Sequence, residues 1–141
     1  MITKTVVLRC PPERAFALFT EEAGRWWPDA RRHTDDASSD IRIEASGRFF
    51  ERARGGTEVE LGRVRTFVPP GRLVLDWFPG TGPASPTHVD VRFEPVTAGT
   101  LSTIVHGPGP GDAEPFERNA AAYGRSWDLV LAAIAQHLTM S

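Results

Sequence analysis

The feature that most constrains this chain is a change of period along it. Between Asp40 and His106 apolar residues alternate with polar ones through six short stretches; from Glu114 to Leu138 they recur three or four apart. Ile41 and Ile43 give one strand, Arg48–Arg52 a second, and Val59 with Leu61 a third. Leu73, Leu75 and Trp77 mark a fourth, Val89, Val91 and Phe93 a fifth, and Thr100–His106 a sixth. Period two means strands with one buried face, and period 3.6 means an amphipathic helix. Six antiparallel strands must cover their apolar faces, and a single long helix is available to do it. A curved sheet gripping that helix is the economical solution.

The rest of the chain fits around this unit. Val6, Val7 and Leu8 lie in a β-prone run, Thr3–Arg9, which ends at Pro11-Pro12. A proline at the first helical position favours a helix start, and Phe16 and Phe19 then share one helical face. Gly24 stops that helix, Arg25–Pro28 is a short turn, and 29–39 reads as a polar loop. Arg54-Gly55-Gly56-Thr57 is a hairpin turn, and Gly62, inside a strand pattern, marks a bulge. The expected fold class is α+β, helix-grip: a curved antiparallel sheet of about seven strands around a long C-terminal helix. The order is one strand, two short helical elements, six strands, helix. No linker or repeat divides residues 1–141, so one domain is expected.

Composition narrows the function classes. Net charge is −2 and only Lys4 is a lysine, so the remaining basic residues are arginines, interleaved with acids. Nucleic-acid binding would gather one sign on one face, so no such partner is expected. No apolar run is long enough for a membrane span, and no basic region followed by an apolar one opens the chain. The single Cys10 excludes an internal disulfide and Cys-cluster zinc sites. A cytoplasmic location is the expectation. His33, His88, His106 and His137 show no metal-ligand spacing, and no phosphate-binding or metalloprotease motif is present. Neither metal nor cofactor is expected.

Cys10–Phe16, followed by Phe19-Thr20 and Trp26-Trp27-Pro28, resembles the opening of START-like (SRPBCC, helix-grip) domains. The branch it looks most like is the homologues of the activator of the heat-shock-protein-90 ATPase. Gly47–Arg52, Gly62-Arg63-Val64, Pro69-Pro70 with Arg72–Leu75 and Trp77, His106-Gly107, and Trp127 with Val130-Leu131 continue the resemblance in order. Ser46 departs from a common glycine. Gly107–Gly111 departs from the bulky residue usual after a glycine, which leaves the shape of the cavity mouth open. The resemblance implies a hydrophobic ligand cavity, in a superfamily that spans lipid carriers, cyclases and co-chaperone-like proteins.

Tyr123 and Trp127 are bulky and mid-helix, so the helix is expected to stand off the sheet and leave a cavity. The residues expected to bind a ligand there are Trp27, Phe49, Glu51, Trp77, His106, Tyr123 and Trp127. Alternation places Glu51 inward if Phe49 and Ala53 face in. The strand of His106 reads either way: Leu101, Thr103 and Val105 oppose Ser102, Ile104 and His106, and the resemblance favours the latter set inward. The leading expectation is a binding protein for a small hydrophobic or amphipathic molecule, monomeric or homodimeric. One alternative is a cyclase- or dehydratase-type enzyme with Glu51 and His106 as an acid–base pair. Another is a co-chaperone-like protein with a protein partner. If the pair exists, Glu51→Gln leaves the fold intact and lowers the pKa of His106.

Overall fold

In the computed structural model, which describes residues 1–140, strand β1 (Ile2–Leu8) leads into Pro11-Pro12 and helix α1 (Pro12–Phe19). Pro12 sits at the start of α1, where its missing N–H costs nothing. The helix buries Ala15, Phe16, Leu18 and Phe19 and ends at Thr20, whose hydroxyl donates to the Phe16 carbonyl at 2.7 Å. Two single-turn 3-10 segments follow, Ala23–Arg25 and Asp29–Arg31. The polar composition of residues 29–39 predicts a plain loop at the second. Six strands come next: β2 (Asp40–Ile43), β3 (Arg48–Arg52), β4 (Glu58–Val68), β5 (Arg72–Trp77), β6 (Thr87–Val96) and β7 (Gly99–Gly107). Helix α2 (Glu114–Met140) closes the chain.

The sheet runs β1-β7-β6-β5-β4-β3-β2 with every neighbouring pair antiparallel. β1 and β2 are therefore opposite edges, and α1 with its two short turns carries the chain between them. The sheet curls into a half-barrel beside α2, the helix-grip arrangement the period change predicts. Leu73, Leu75 and Trp77 bury one face of β5, and Val89, Val91 and Phe93 do the same on β6. On β7 the inward set is Ser102, Ile104 and His106, which resolves the ambiguous parity. From α2, Trp127, Val130, Leu131 and Ile134 close over them. Burying a side chain of this kind stabilises the fold by roughly 1.5–3 kcal/mol.

The bulge sits one residue from where Gly62 alone would put it. Phe49 pairs with Gly62 and Phe50 with Glu60, so Leu61 is the extra residue. Gly62 has a separate reason to lack a side chain. A Cβ there would lie 2.3 Å from the Asp76 carbonyl oxygen and 2.7 Å from Phe49 Cδ2. Phe50, on the outer face, is covered by the guanidinium groups of Arg48 and Arg52, 3.9 and 5.0 Å from its ring centroid. No helix is long and apolar enough to cross a membrane among the described residues.

Candidate functional site

The aromatic residues that the sequence marks for a ligand cavity largely meet one another. Trp77 lies 4.9 Å from Trp127 and 5.0 Å from Phe49, centroid to centroid, and 6.4 Å from Trp27. They fill most of the space between β5 and α2. What remains is a cleft of about 160 Å³ at its mouth, lined by Trp27, Trp77, Tyr123 and Trp127. Phe49 lies behind Trp77, fully buried, and does not line the cleft. Arg31, His33, Pro79, Ser126 and Val130 complete the lining. None of these five is among the residues the sequence marks for a ligand; Arg31 and His33 sit in a stretch that reads as polar loop.

His106 is buried just behind the cleft, its ring centroid 4.5 Å from that of Tyr123. The Trp127 indole N–H donates to His106 Nδ1 at 3.0 Å. An indole nitrogen can only donate, so Nδ1 is the unprotonated acceptor and the ring proton sits on Nε2. Nε2 then donates to Thr87 Oγ1 at 2.7 Å, and the Thr87 hydroxyl donates to the Trp77 carbonyl at 3.1 Å. Both ring nitrogens are thus committed within the neutral imidazole. Burial, reinforced by the charges of His88 and the N-terminus, pushes the His106 pKa down to about 4. Burial alone also raises the pKa of the Tyr123 hydroxyl.

Glu51 is fully buried, as alternation requires, but it faces a different neighbour. Its Oε1 accepts the His33 N–H at 2.7 Å. Oε2 accepts the Thr34 N–H at 3.0 Å, the Thr34 hydroxyl at 2.6 Å and the Ser39 hydroxyl at 2.9 Å. Burial pushes the carboxyl pKa up, yet these four donors outweigh it and the net shift is downward. Glu51 is therefore a carboxylate anchor for the 33–39 segment. The expected Glu51–His106 acid–base pair is not formed, since each group is satisfied by other partners. A protonated His106 would also point a second N–H at the Trp127 indole N–H.

The anchor nevertheless acts on the cleft, because it fixes the backbone of His33, which lines it. Arg32 secures the same segment from the other side. Its Nη1 donates to the Ser39 carbonyl and hydroxyl at 2.9 and 2.8 Å, and its Nη2 to the carbonyls of Gly24 and Trp27 at 2.8 and 3.1 Å. Immediately before this anchored segment is Arg31, whose Nε is buried without a hydrogen-bond partner among the described residues. Arg31 forms no ion pair there either, and no carboxylate lines the cleft. No group of three or more His, Cys, Asp or Glu side chains is placed to hold a metal ion among the described residues.

A family model described as "Activator of Hsp90 ATPase homolog 1-like protein" matches residues 9–139. The chain belongs to that family. No curated protein matches the sequence. Among solved structures, family-like folds recur at low identity. The solution structure of a self-sacrificing resistance protein, CalC from Micromonospora echinospora, is 22% identical with a TM-score of 0.71, over 97% of this chain and 92% of that one. A protein from Rhodobacter sphaeroides is 19% identical with a TM-score of 0.69, over 98% and 90%. A protein from Mesorhizobium loti is 17% identical with a TM-score of 0.67, over 99% and 97%. Identities this low carry the fold and nothing finer.

Proposed function

We propose that this family member is a cytoplasmic binding protein for a small apolar molecule bearing an acidic group, held in the cleft between β5 and α2. The observation that carries the reading is Arg31. Its side chain lines the cleft with no hydrogen bond or ion pair among the described residues, and a ligand carboxylate would pair the guanidinium through its terminal nitrogens. The aromatic lining provides the apolar contact, and the hydroxyls of Tyr123 and Ser126 provide further donors. The family is in general a ligand-binding one, which agrees with this reading.

Size limits the ligand. At roughly 30 Å³ per water, 160 Å³ corresponds to about five water molecules, below the ~300 Å³ at which ordinary ligand pockets begin. A single ring with a short acidic arm is the matching class. Trp27, Trp77 and Trp127 line the cleft, so binding reads out as a change in tryptophan fluorescence. Phenylacetate is expected to give a saturable change, and 2-phenylethanol a much weaker one. Arg31→Gln should weaken phenylacetate binding at least tenfold and leave 2-phenylethanol unaffected. Equal binding of the two compounds, or no effect of Arg31→Gln, overturns the acidic-ligand reading. Native mass spectrometry of freshly purified protein would then identify any small molecule that the cleft retains.

A further inference from the structure

The larger cleft lies elsewhere. It has a volume of about 520 Å³, within the range of small-molecule pockets, and it opens between α1, the end of β2 and the β4–β5 turn. Its apolar lining comes from Phe16 and Ala17 of α1, Ile43 of β2, and Phe67, Pro69 and Pro70 at the end of β4. Phe67 meets Phe16 edge to face, with centroids 5.1 Å apart. This cleft is separate from the Trp77 cleft. Phe67 pairs with Leu73 beside the β4–β5 turn, whereas Trp77 pairs with Gly62 at the far end of the same hairpin.

Its charge is one-sided. Glu13, Glu21 and Glu44 line it, against a single Arg42. Arg42 already donates to Asp40 at 2.6 Å, its nearest carboxylate. Glu21 and Glu44 sit close enough to Arg42 to raise its pKa further, after the hydrogen bond and charge of Asp40, which places both acids on the same rim. The side-chain carboxylates of Glu13 and Glu21 make no hydrogen bond or ion pair among the described residues. The Glu44 carboxylate accepts only a long bond from the Ser46 hydroxyl, at 3.4 Å, among the described residues. Three carboxylates held around an apolar cleft favour an apolar group with a cationic head and disfavour an anion.

We propose that this second cleft is a binding site for hydrophobic amines, with the apolar group against Phe16 and Phe67 and the ammonium among Glu13, Glu21 and Glu44. The inference is independent of the acidic ligand proposed for the Trp77 cleft, and the two sites are read by different residues.

The test is a ¹H–¹⁵N NMR titration of the whole protein at pH 7 with three probes of one shape: 1-naphthylmethylamine, 1-naphthylmethanol and 1-naphthoate. The amine is expected to shift the amides of Ala17, Thr20, Glu21, Glu44 and Ala45 saturably, at least tenfold more tightly than the alcohol. The naphthoate should leave those amides unmoved. Glu21→Gln combined with Glu44→Gln should weaken amine binding several-fold and leave the alcohol unchanged. Ala17 is partly exposed, so Ala17→Trp should fill the cleft and abolish binding of both. Equal affinity for amine and alcohol overturns the proposal, as does the absence of shifts at these amides or an unchanged affinity in the double glutamine variant. Shifts confined to Tyr123, Ser126 and Trp127 would also overturn it.

Discussion

The indole N–H of Trp127 donates to Nδ1 of His106 across the interface between α2 and β7, at 3.0 Å. This bond sets the tautomer and denies the imidazole the position at which a second proton would enter. Trp127→Phe keeps a ring in place and removes the donor. The histidine nitrogen then loses its partner, at a cost of roughly 1–3 kcal/mol of stability, measured by urea unfolding. Without the opposing N–H, protonation becomes easier, so the His106 pKa should rise from about 4 and stay below the ordinary 6.5, because burial persists. A pKa still near 4 by NMR would show that burial alone holds it down.

The same histidine makes the fold acid-sensitive over a definable window. In the unfolded chain the imidazole takes up its proton near pH 6.5, and in the folded protein only near 4. Between those values the unfolded state binds more protons, so stability rises with pH there and falls as pH falls. The contribution is fully present above pH 6.5 and lost on the way down to about 4. At about 1.4 kcal/mol per pH unit it reaches about 3 kcal/mol. Urea midpoints from pH 4 to 7.5 check this, and His106→Gln should flatten most of the slope. The depressed carboxyl of Glu51 acts in the same direction but lower, where its unfolded form begins to protonate near pH 4.5.

Glu51→Gln has a different expected result from the one the alternation pattern invites. A glutamine presents an amide NH₂ where two backbone N–H groups and two hydroxyls now converge on carboxylate oxygens. At least one donor then faces another donor, and the charge-assisted bonds are lost, for a cost of about 2–3 kcal/mol. The His106 pKa should not move. Amide exchange at His33 and Thr34 should speed up, and that local readout separates a loosened segment from a globally weakened fold.

Much of this is legible in the sequence. Where apolar and polar residues alternate cleanly the facing follows, so Leu73, Leu75 and Trp77, or Val89, Val91 and Phe93, declare the sheet's inner surface directly, whereas β7 alternates without declaring its side. The same code placed Glu51 inside. It was silent on which buried partner Glu51 meets, because that partner is a loop whose path depends on hydrogen bonds distant in sequence. The size of the space between sheet and helix is not legible for a related reason. Periodicity reports which aromatics point inward, but whether they leave space or fill it depends on ring volumes summed across elements, and Phe49, Trp77 and Trp127 fill most of it. The cleft at α1 carries no signal, since Phe16 and Ile43 read as ordinary core in their separate elements and nothing in the pattern singles out Phe67.

Arg32 is the residue the sequence hid most completely. It stands in a polar stretch beside Arg31, yet its side chain is only 5% exposed and its two terminal nitrogens reach acceptors on three segments. Three of those acceptors are backbone carbonyls, of Gly24, Trp27 and Ser39, which otherwise have to find water or remain unpaired. A lysine carries the same charge but gathers its donors at one point, so it cannot span both groups of acceptors. Arg32→Lys should therefore cost about 2 kcal/mol, a fall in Tm of roughly 5–8 °C for a chain of this size. The loss should also reach the cleft, because the segment that Arg32 ties down carries Arg31 and His33. Weaker binding of phenylacetate in Arg32→Lys, with the exposed ion pair to Asp29 dispensable in Asp29→Asn, would identify the carbonyl contacts as the cause. If Asp29→Asn loses as much stability as Arg32→Lys, the surface pair rather than the buried fork holds the segment.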